Sequence, residues 1–288
     1  TDTKEVILTL GGSTTSGFYQ RFSDGYTWPY LLSQDVSERN IQVINGAVGG
    51  YNSTMELLKL IIEGRRIKNL KLVVSFSGIN DHPSYSRLRS DESKSKNLFP
   101  FINYIQEIMI TEQKWVIQDS FFRFLPNFSN FISLLSRKMK NSLIIDNYVD
   151  ESNVYSLSNK FNQLSASERW RLNVISMNAI SNALGADYAV FLQPSMGLEG
   201  AQSITLEGTS DHEIYMNEVF HEPAYITMLN EFYDEIRNIC KELDYCFDIT
   251  SVGPPDGSSY FNHRHHNAAG NKLISKAIFT HLLESGKL

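Results

Sequence analysis

Cysteine is nearly missing from this chain: Cys240 and Cys246 are the only two in 288 residues. Two thiols cannot build a disulfide framework or a four-thiolate zinc site. One bridge between them stays open, and two buried free thiols are the expectation. Long apolar runs are missing too. No stretch of about 18 apolar residues occurs, so no membrane-spanning helix is expected. A basic excess is also absent: 26 Lys and Arg stand against 32 Asp and Glu, for a net charge of −6. Apart from Arg65-Arg66 and Arg137–Lys140 the cations are scattered. Neutralising phosphates takes a clustered basic face, so nucleic acid is not an expected partner. No signal peptide opens the chain. It starts at Thr1 rather than Met, which leaves a removed leader or anchor open, and with it the compartment: cytoplasmic, periplasmic or extracellular.

What is present is an ordinary globular composition, 42% hydrophobic and 20% charged, which excludes disorder of the whole chain. Five short apolar runs rich in Val, Ile, Leu and aromatics read as buried parallel strands: Glu5–Leu10, Ile41–Asn45, Leu70–Phe76, Tyr188–Gln193 and Tyr245–Ile249. Helical patterns alternate with them. Trp28–Glu38 has an apolar face. Ser53-Thr-Met-Glu56 reads as a capping box opening a helix to about Arg66, and Ser165-Ala-Ser-Glu168 as another. Pro223–Lys241 spaces Tyr225, Leu229, Phe232, Ile236 and Ile239 for one helical face, and Asn267 suits the N-cap of a last helix to about Glu284. Alternating strands and helices predict a doubly wound α/β sheet. Residues 1–288 form one domain in this reading, with a helical insertion at about 84–162. That insertion opens with a polar stretch and carries the aromatics Phe121, Phe122, Phe124, Phe128 and Phe131, expected to form its own small core, or else an apolar substrate wall or lid, or a surface for a membrane or protein partner.

Open α/β sheets bind ligands beyond the carboxyl ends of their strands, so the residues there matter most. The first strand ends in Leu10-Gly-Gly-Ser-Thr-Thr-Ser-Gly17. A serine in such a turn can project from the sheet, and it needs a base to become nucleophilic. The segment fits neither a P-loop nor a dinucleotide fingerprint nor a Gly-x-Ser-x-Gly elbow. The second strand leads through Gly46 to Gly50, where a backbone N–H can face a ligand. The third ends in Gly78-Ile-Asn-Asp81, where the Asn80 amide can donate across the strand tips or simply make an Asx turn. Near the C-terminus, Asn262-His-Arg-His-His-Asn-Ala-Ala-Gly270 precedes the last helix, and a histidine held there can reach back to Ser13. Three histidines within four residues do not converge readily, so His263, His265 and His266 are not expected to bind metal. His212 and His221 read as surface residues.

These blocks resemble the SGNH/GDSL hydrolases, in the branch with Gly-Gly-Ser-Thr-Thr. The matching pieces are Gly11-Gly-Ser-Thr-Thr15, Trp28-Pro-Tyr-Leu-Leu32, Val43-Ile-Asn45 through Gly50, Gly78-Ile-Asn-Asp81 and His265-His-Asn-Ala-Ala-Gly270. They occur in the family's order and span nearly the whole chain, the insertion excepted. The resemblance implies a flavodoxin-like three-layer α/β/α fold with a five-stranded parallel sheet. It implies Ser13 as nucleophile and His265 as base, with an oxyanion hole from the Ser13 and Gly50 N–H groups and the Asn80 side chain, and no metal or organic cofactor. It further implies hydrolysis of an ester, above all an O-acetyl group on a carbohydrate. The rivals are a lipid esterase or thioesterase, a sugar O-acyltransferase, and a non-catalytic binding protein. One position departs: Asn262 stands three residues before His265, where the family carries Asp. Either Asn262 or a backbone carbonyl orients the ring of a Ser–His dyad, or another acid such as Asp256 substitutes, or the residue disables the site.

Overall fold

The computed structural model describes residues 4–17, 27–82, 164–198, 223–253 and 257–288. The chain divides into two compact units, Thr1–Tyr85 with Leu164–Leu288, and Ser86–Gln163. All described residues belong to the first. The expected insertion at 84–162, the stretch holding His212 and His221, and Asp256 lie outside them.

Five strands, β1 (Glu5–Gly11), β2 (Ile41–Asn45), β3 (Leu70–Ser77), β4 (Asp187–Leu192) and β5 (Cys246–Asp248), form one sheet in the order β2-β1-β3-β4-β5. Every pairing is parallel, as in Ile7↔Val43, Ile7↔Leu72, Val74↔Ala189 and Phe191↔Phe247. The sheet is the doubly wound α/β fold the sequence implies. Side chains alternate across it. On one face Ile7, Leu72, Val74, Phe76, Ala189 and Phe191 pack with Trp28 and Leu32 of α2 (Trp28–Asp35) and with Ile274, Ile278 and Leu282 of the last helix, α6 (Ala268–Glu284). The other face carries α3 (Ser53–Glu63), α4 (Ala166–Ala183) and α5 (Pro223–Lys241). There Ser75 of β3 and Tyr188 of β4 both reach the Met177 sulfur of α4, at 3.7 and 3.8 Å.

Local signals explain most boundaries. Ser165 and Glu168 make the expected reciprocal capping box, and Asn267 caps α6 by accepting from the Gly270 N–H. Three expectations are corrected. The cap of α3 is Asn52, whose side chain accepts from the Met55 N–H. Glu56, the expected partner in a Ser53 box, is instead fully buried. The helix from Trp28 stops at Asp35 and continues only as a 3-10 turn, Ser37–Arg39, closed by Asn40 at φ 57°. Cys240 and Cys246 are joined in a disulfide rather than left as free thiols. The helix end of α5 and the start of β5 bring their Cα atoms to 5.1 Å, inside bridging range.

The order 2-1-3-4-5 reverses direction between β1 and β3. The crevice at such a switch point is where open α/β sheets place ligands. Gly11-Gly12-Ser13 leaves β1 there and Gly78-Ile79-Asn80 leaves β3.

Candidate active site

Gly11 and Gly12 do different jobs in placing Ser13. Gly11 sits at φ +151°, a backbone that side chains disfavour, and a Cβ on it would strike Thr15 and the Phe76 carbonyl. Gly12, the N-cap, lies at negative φ (−89°); a Cβ there would instead collide with the Asn80 amide nitrogen. Ser13 then opens the single helical turn α1 (Ser13–Ser16) and stays half-buried at the strand tips. Trp28 supports this turn from below, its indole N–H donating to Thr15 Oγ1 at 3.3 Å. Asn45, at the end of β2, donates to the Thr15 carbonyl at 2.8 Å.

The residues expected to meet Ser13 come from elements distant in sequence. His265 Nε2 lies 2.7 Å from Ser13 Oγ. His265 is buried, with the residue 7% exposed. Burial, and secondarily the charge of the adjacent Arg264, lower its pKa to about 4. At neutral pH the ring is therefore neutral, the state a base requires.

The three histidines of the loop diverge. His263 packs edge-on toward Tyr225 and His266 lies against Tyr260, ring centres 6.0 and 4.2 Å apart, while His265 faces Ser13.

Asn262 takes the position left by the expected Asp. Its Oδ1 is 2.8 Å from His265 Nδ1, and accepts from the backbone N–H of His265 at 3.1 Å and of Arg264 at 3.2 Å. These two donors decide which way the amide points, since a flipped NH2 would oppose both. The oxygen therefore faces Nδ1, which must donate, and the lone pair of the ring is left on Nε2 toward Ser13.

Gly50 stands at φ +83° with open space where a Cβ would be. Asn80 Nδ2 donates to the Tyr51 carbonyl at 2.8 Å. A primary amide has two N–H groups, so this bond holds the side chain and leaves a second donor.

Two binding devices escape sequence reasoning. Gln193, buried just beyond β4, donates through Nε2 to both Thr14 Oγ1 (2.9 Å) and the Arg264 carbonyl (3.0 Å). It thereby ties the Ser13 turn to the His265 loop. The Ser195 hydroxyl and the Met196 N–H add two bonds to the His263 carbonyl. The other device is Asp81, whose carboxylate accepts from the backbone and hydroxyl of Ser53. The only sequence signal for either is position: Gln193 directly follows β4, and Asp81 ends the turn after β3.

No family model and no curated protein matches this chain. Several solved structures are similar to it in shape. An acetyl xylan esterase is 10% identical over 96% of this chain and 99% of its own, with a TM-score of 0.49. The psychrotrophic esterase EstA from Pseudoalteromonas sp. is 13% identical over 97% of this chain and 99% of its own, at 0.43. A GDSL-like lipase from Bacteroides thetaiotaomicron is 10% identical over 98% of this chain and 89% of its own, at 0.44. Likeness at these identities and scores carries no activity across to this chain.

Proposed function

We propose that this protein is a serine ester hydrolase in which Ser13 is acylated and His265 shuttles the proton. The observation that carries the reading is the 2.7 Å approach of His265 Nε2 to Ser13 Oγ, with the ring's other nitrogen held by Asn262 Oδ1. A hydroxyl, a neutral imidazole and an acceptor behind it form the nucleophile–base–orienter arrangement of acyl transfer. As Ser13 Oγ bonds to the ester carbonyl carbon, its proton passes to His265 Nε2. The carbonyl oxygen gains negative charge and takes hydrogen bonds from the Ser13 and Gly50 N–H groups and the second Asn80 N–H. The C–O bond breaks, His265 returns the proton to the departing alcohol, and water repeats the sequence to release the acid. No step calls on a metal or an organic cofactor.

Asn262 supplies geometry without charge. It selects the productive tautomer but gives the imidazolium no ionic partner, so we infer an active enzyme of restrained rate.

The substrate class we infer is an O-acetylated carbohydrate. This rests on the sequence resemblance to the Gly-Gly-Ser-Thr-Thr branch of the SGNH/GDSL hydrolases. The test is labelling by a fluorophosphonate, with Ser13→Ala as control, followed by release assays on p-nitrophenyl esters from acetyl to long-chain and on acetylated sugars. Labelling of the native chain alone supports the hydrolase. Absence of labelling in folded protein turns the reading toward a binding protein. Preference for long chains replaces the carbohydrate with a lipid, and transfer of acetyl to an added sugar makes it an acyltransferase.

A further inference from the structure

Behind the strand tips lies a group of buried polar residues that the reaction above does not use. Asp81 closes the 3-10 turn Ile79–Asp81 that carries Asn80. Its Oδ1 accepts from the Ser53 hydroxyl at 2.5 Å, and both carboxylate oxygens lie 3.2 Å from the Ser53 N–H. Ser53 is the first residue of α3, three positions beyond Gly50, so the carboxylate also sits at a helix N-terminus, which favours negative charge. Asn173 of α4 donates to Ser53 Oγ at 2.8 Å and to Thr54 Oγ1 at 2.9 Å. Because Ser53 Oγ already accepts from Asn173, its own hydrogen is directed to Asp81. In every contact that Ser53 makes with Asp81 it is thus the donor. A proton on that carboxyl would face donors rather than acceptors.

Two bonds therefore bridge the turn after β3 and the loop before α3: Asn80 to the Tyr51 carbonyl, and Asp81 to Ser53. Asn80 stands on one side of this bridge and Gly50 on the other. We propose that Asp81 is a positioning residue whose ionised carboxylate, clamped by Ser53, sets the spacing of the Asn80 and Gly50 donors and makes turnover depend on its own protonation. This rests on the hydrolase reading and adds to it a control on the same site.

The groups facing Asp81 act in both directions. Burial raises its pKa to about 6, opposed by hydrogen bonds from Ser53 and Ser77 and by the charge of Arg169 on α4. Glu56 of α3 faces Asp81 and is itself pushed well above the usual carboxylate range, chiefly by burial and next by Asp81. Burial therefore favours the neutral form of Glu56, whose Oε2 has no hydrogen-bond partner among the described residues. Tyr188 of β4, also facing the pair, is raised and stays neutral. Asp81, at about 6, changes charge between pH 5 and 7, while His265 does so only near pH 4.

The test follows the Asn80 side-chain amide in 15N-labelled full-length protein, alongside hydrolysis of p-nitrophenyl acetate, from pH 4.5 to 8. The Asn80 signal is expected to titrate with one midpoint near 6 in the native chain. The turnover number should fall about ten-fold from pH 7 to pH 5, as expected when the ionised fraction drops across a midpoint at 6, with KM steady because the donors act on the transition state. Asp81→Asn should lack the titration and the limb. Ser53→Ala removes a donor that favours the charged form, so it should move the midpoint upward and serves should Asp81→Asn not fold. Glu56→Gln should keep the native midpoint. A flat Asn80 signal in the native chain, a limb that survives Asp81→Asn, or a limb abolished by Glu56→Gln overturns the proposal. Failure of Ser13 to label would sink the hydrolase reading, while the Asn80 titration still decides whether Asp81 positions the donors.

Discussion

Asn262 Oδ1 faces His265 Nδ1 at 2.8 Å while holding the backbone N–H groups of residues 264 and 265. An Asn behind a catalytic imidazole is damaging when its amide favours the wrong tautomer, a loss of roughly four orders of magnitude in the serine proteases. Here the two backbone donors hold the oxygen toward the ring, so that loss is avoided. What is missing is the negative charge that would stabilise the imidazolium. Asn262→Asp is expected to raise kcat at pH 8 by roughly ten-fold, since a hydrogen bond to a charged partner is worth about 1 to 1.5 kcal/mol more than one to a neutral partner. It should also raise the His265 pKa above about 4, because a carboxylate favours the protonated ring. Turnover of a small acetyl ester and the pH titration of the His265 ring resonances measure both. No gain in turnover would show that Asn262 already does all an acid could. Asn262→Ala should lose activity, having neither charge nor acceptor.

Gly12 is needed for room. It lies at negative φ (−89°), and a Cβ would push into the Asn80 amide. Gly12→Ala should fold and yet lose about 10²-fold in kcat, the effect of misplacing one oxyanion donor, with a loss of stability of about 1 to 3 kcal/mol from overpacking. The kcat loss should match that of Asn80→Ala and should not add to it in the double variant. Additive losses would mean that Gly12 acts elsewhere.

These features are legible in sequence to different depths. The central strands β1, β3 and β4 are apolar runs buried on both faces, and the edge strand β2 still reads out residue for residue. The Ser165 box and the Asn267 cap are local hydrogen bonds between residues three apart, so spacing alone exposes them. Ser53 and Glu56 have the same spacing and form no box. Asp81, 28 positions away, competes for the Ser53 N–H and hydroxyl, while Asn52 takes over the cap. Gln193 reads as the end of a strand; its partners Thr14 and Arg264 lie 179 and 71 positions away. The disulfide is hidden because two cysteines six apart look unremarkable until a helix end and a strand start bring them together.

Burial of neutral histidines should make the fold sensitive to acid. His82 and His265 are lowered to about 4 and His266 to about 3, each mainly by burial. The unfolded chain takes up these protons near pH 6.5 and the folded chain does not. Their contribution is complete above pH 6.5 and is lost as pH falls toward 4. Asp81, raised to about 6, and Glu56, raised well above the usual carboxylate range, work the other way, two groups against three. Urea unfolding at pH 7 and pH 4.5 should show a net loss of stability at the lower pH, since each ten-fold difference in proton affinity between folded and unfolded chain is worth about 1.4 kcal/mol. Equal midpoints in Glu56→Gln, which removes one opposing group, would show that these rings are not neutral inside the fold.

The Cys240–Cys246 bridge should matter for stability and not for chemistry. It closes a short loop, a sequence separation of 6, between the end of α5 and the start of β5. A loop this short restrains the unfolded chain modestly, by about 2 kcal/mol in the chain-entropy picture. β5 is also the sheet's edge, paired only with β4, and among the described residues it supplies none of the groups around Ser13. Reduction by dithiothreitol, or the double change Cys240→Ala with Cys246→Ala, should lower the melting temperature by several degrees. Fluorophosphonate labelling of Ser13 at 25 °C should proceed at an unchanged rate. Labelling that slows in step with reduction, while the protein stays folded, would mean that α5 transmits strain to Gln193. The contact available for that is the hydrogen bond from the Tyr233 hydroxyl to the Gln193 carbonyl at 2.7 Å.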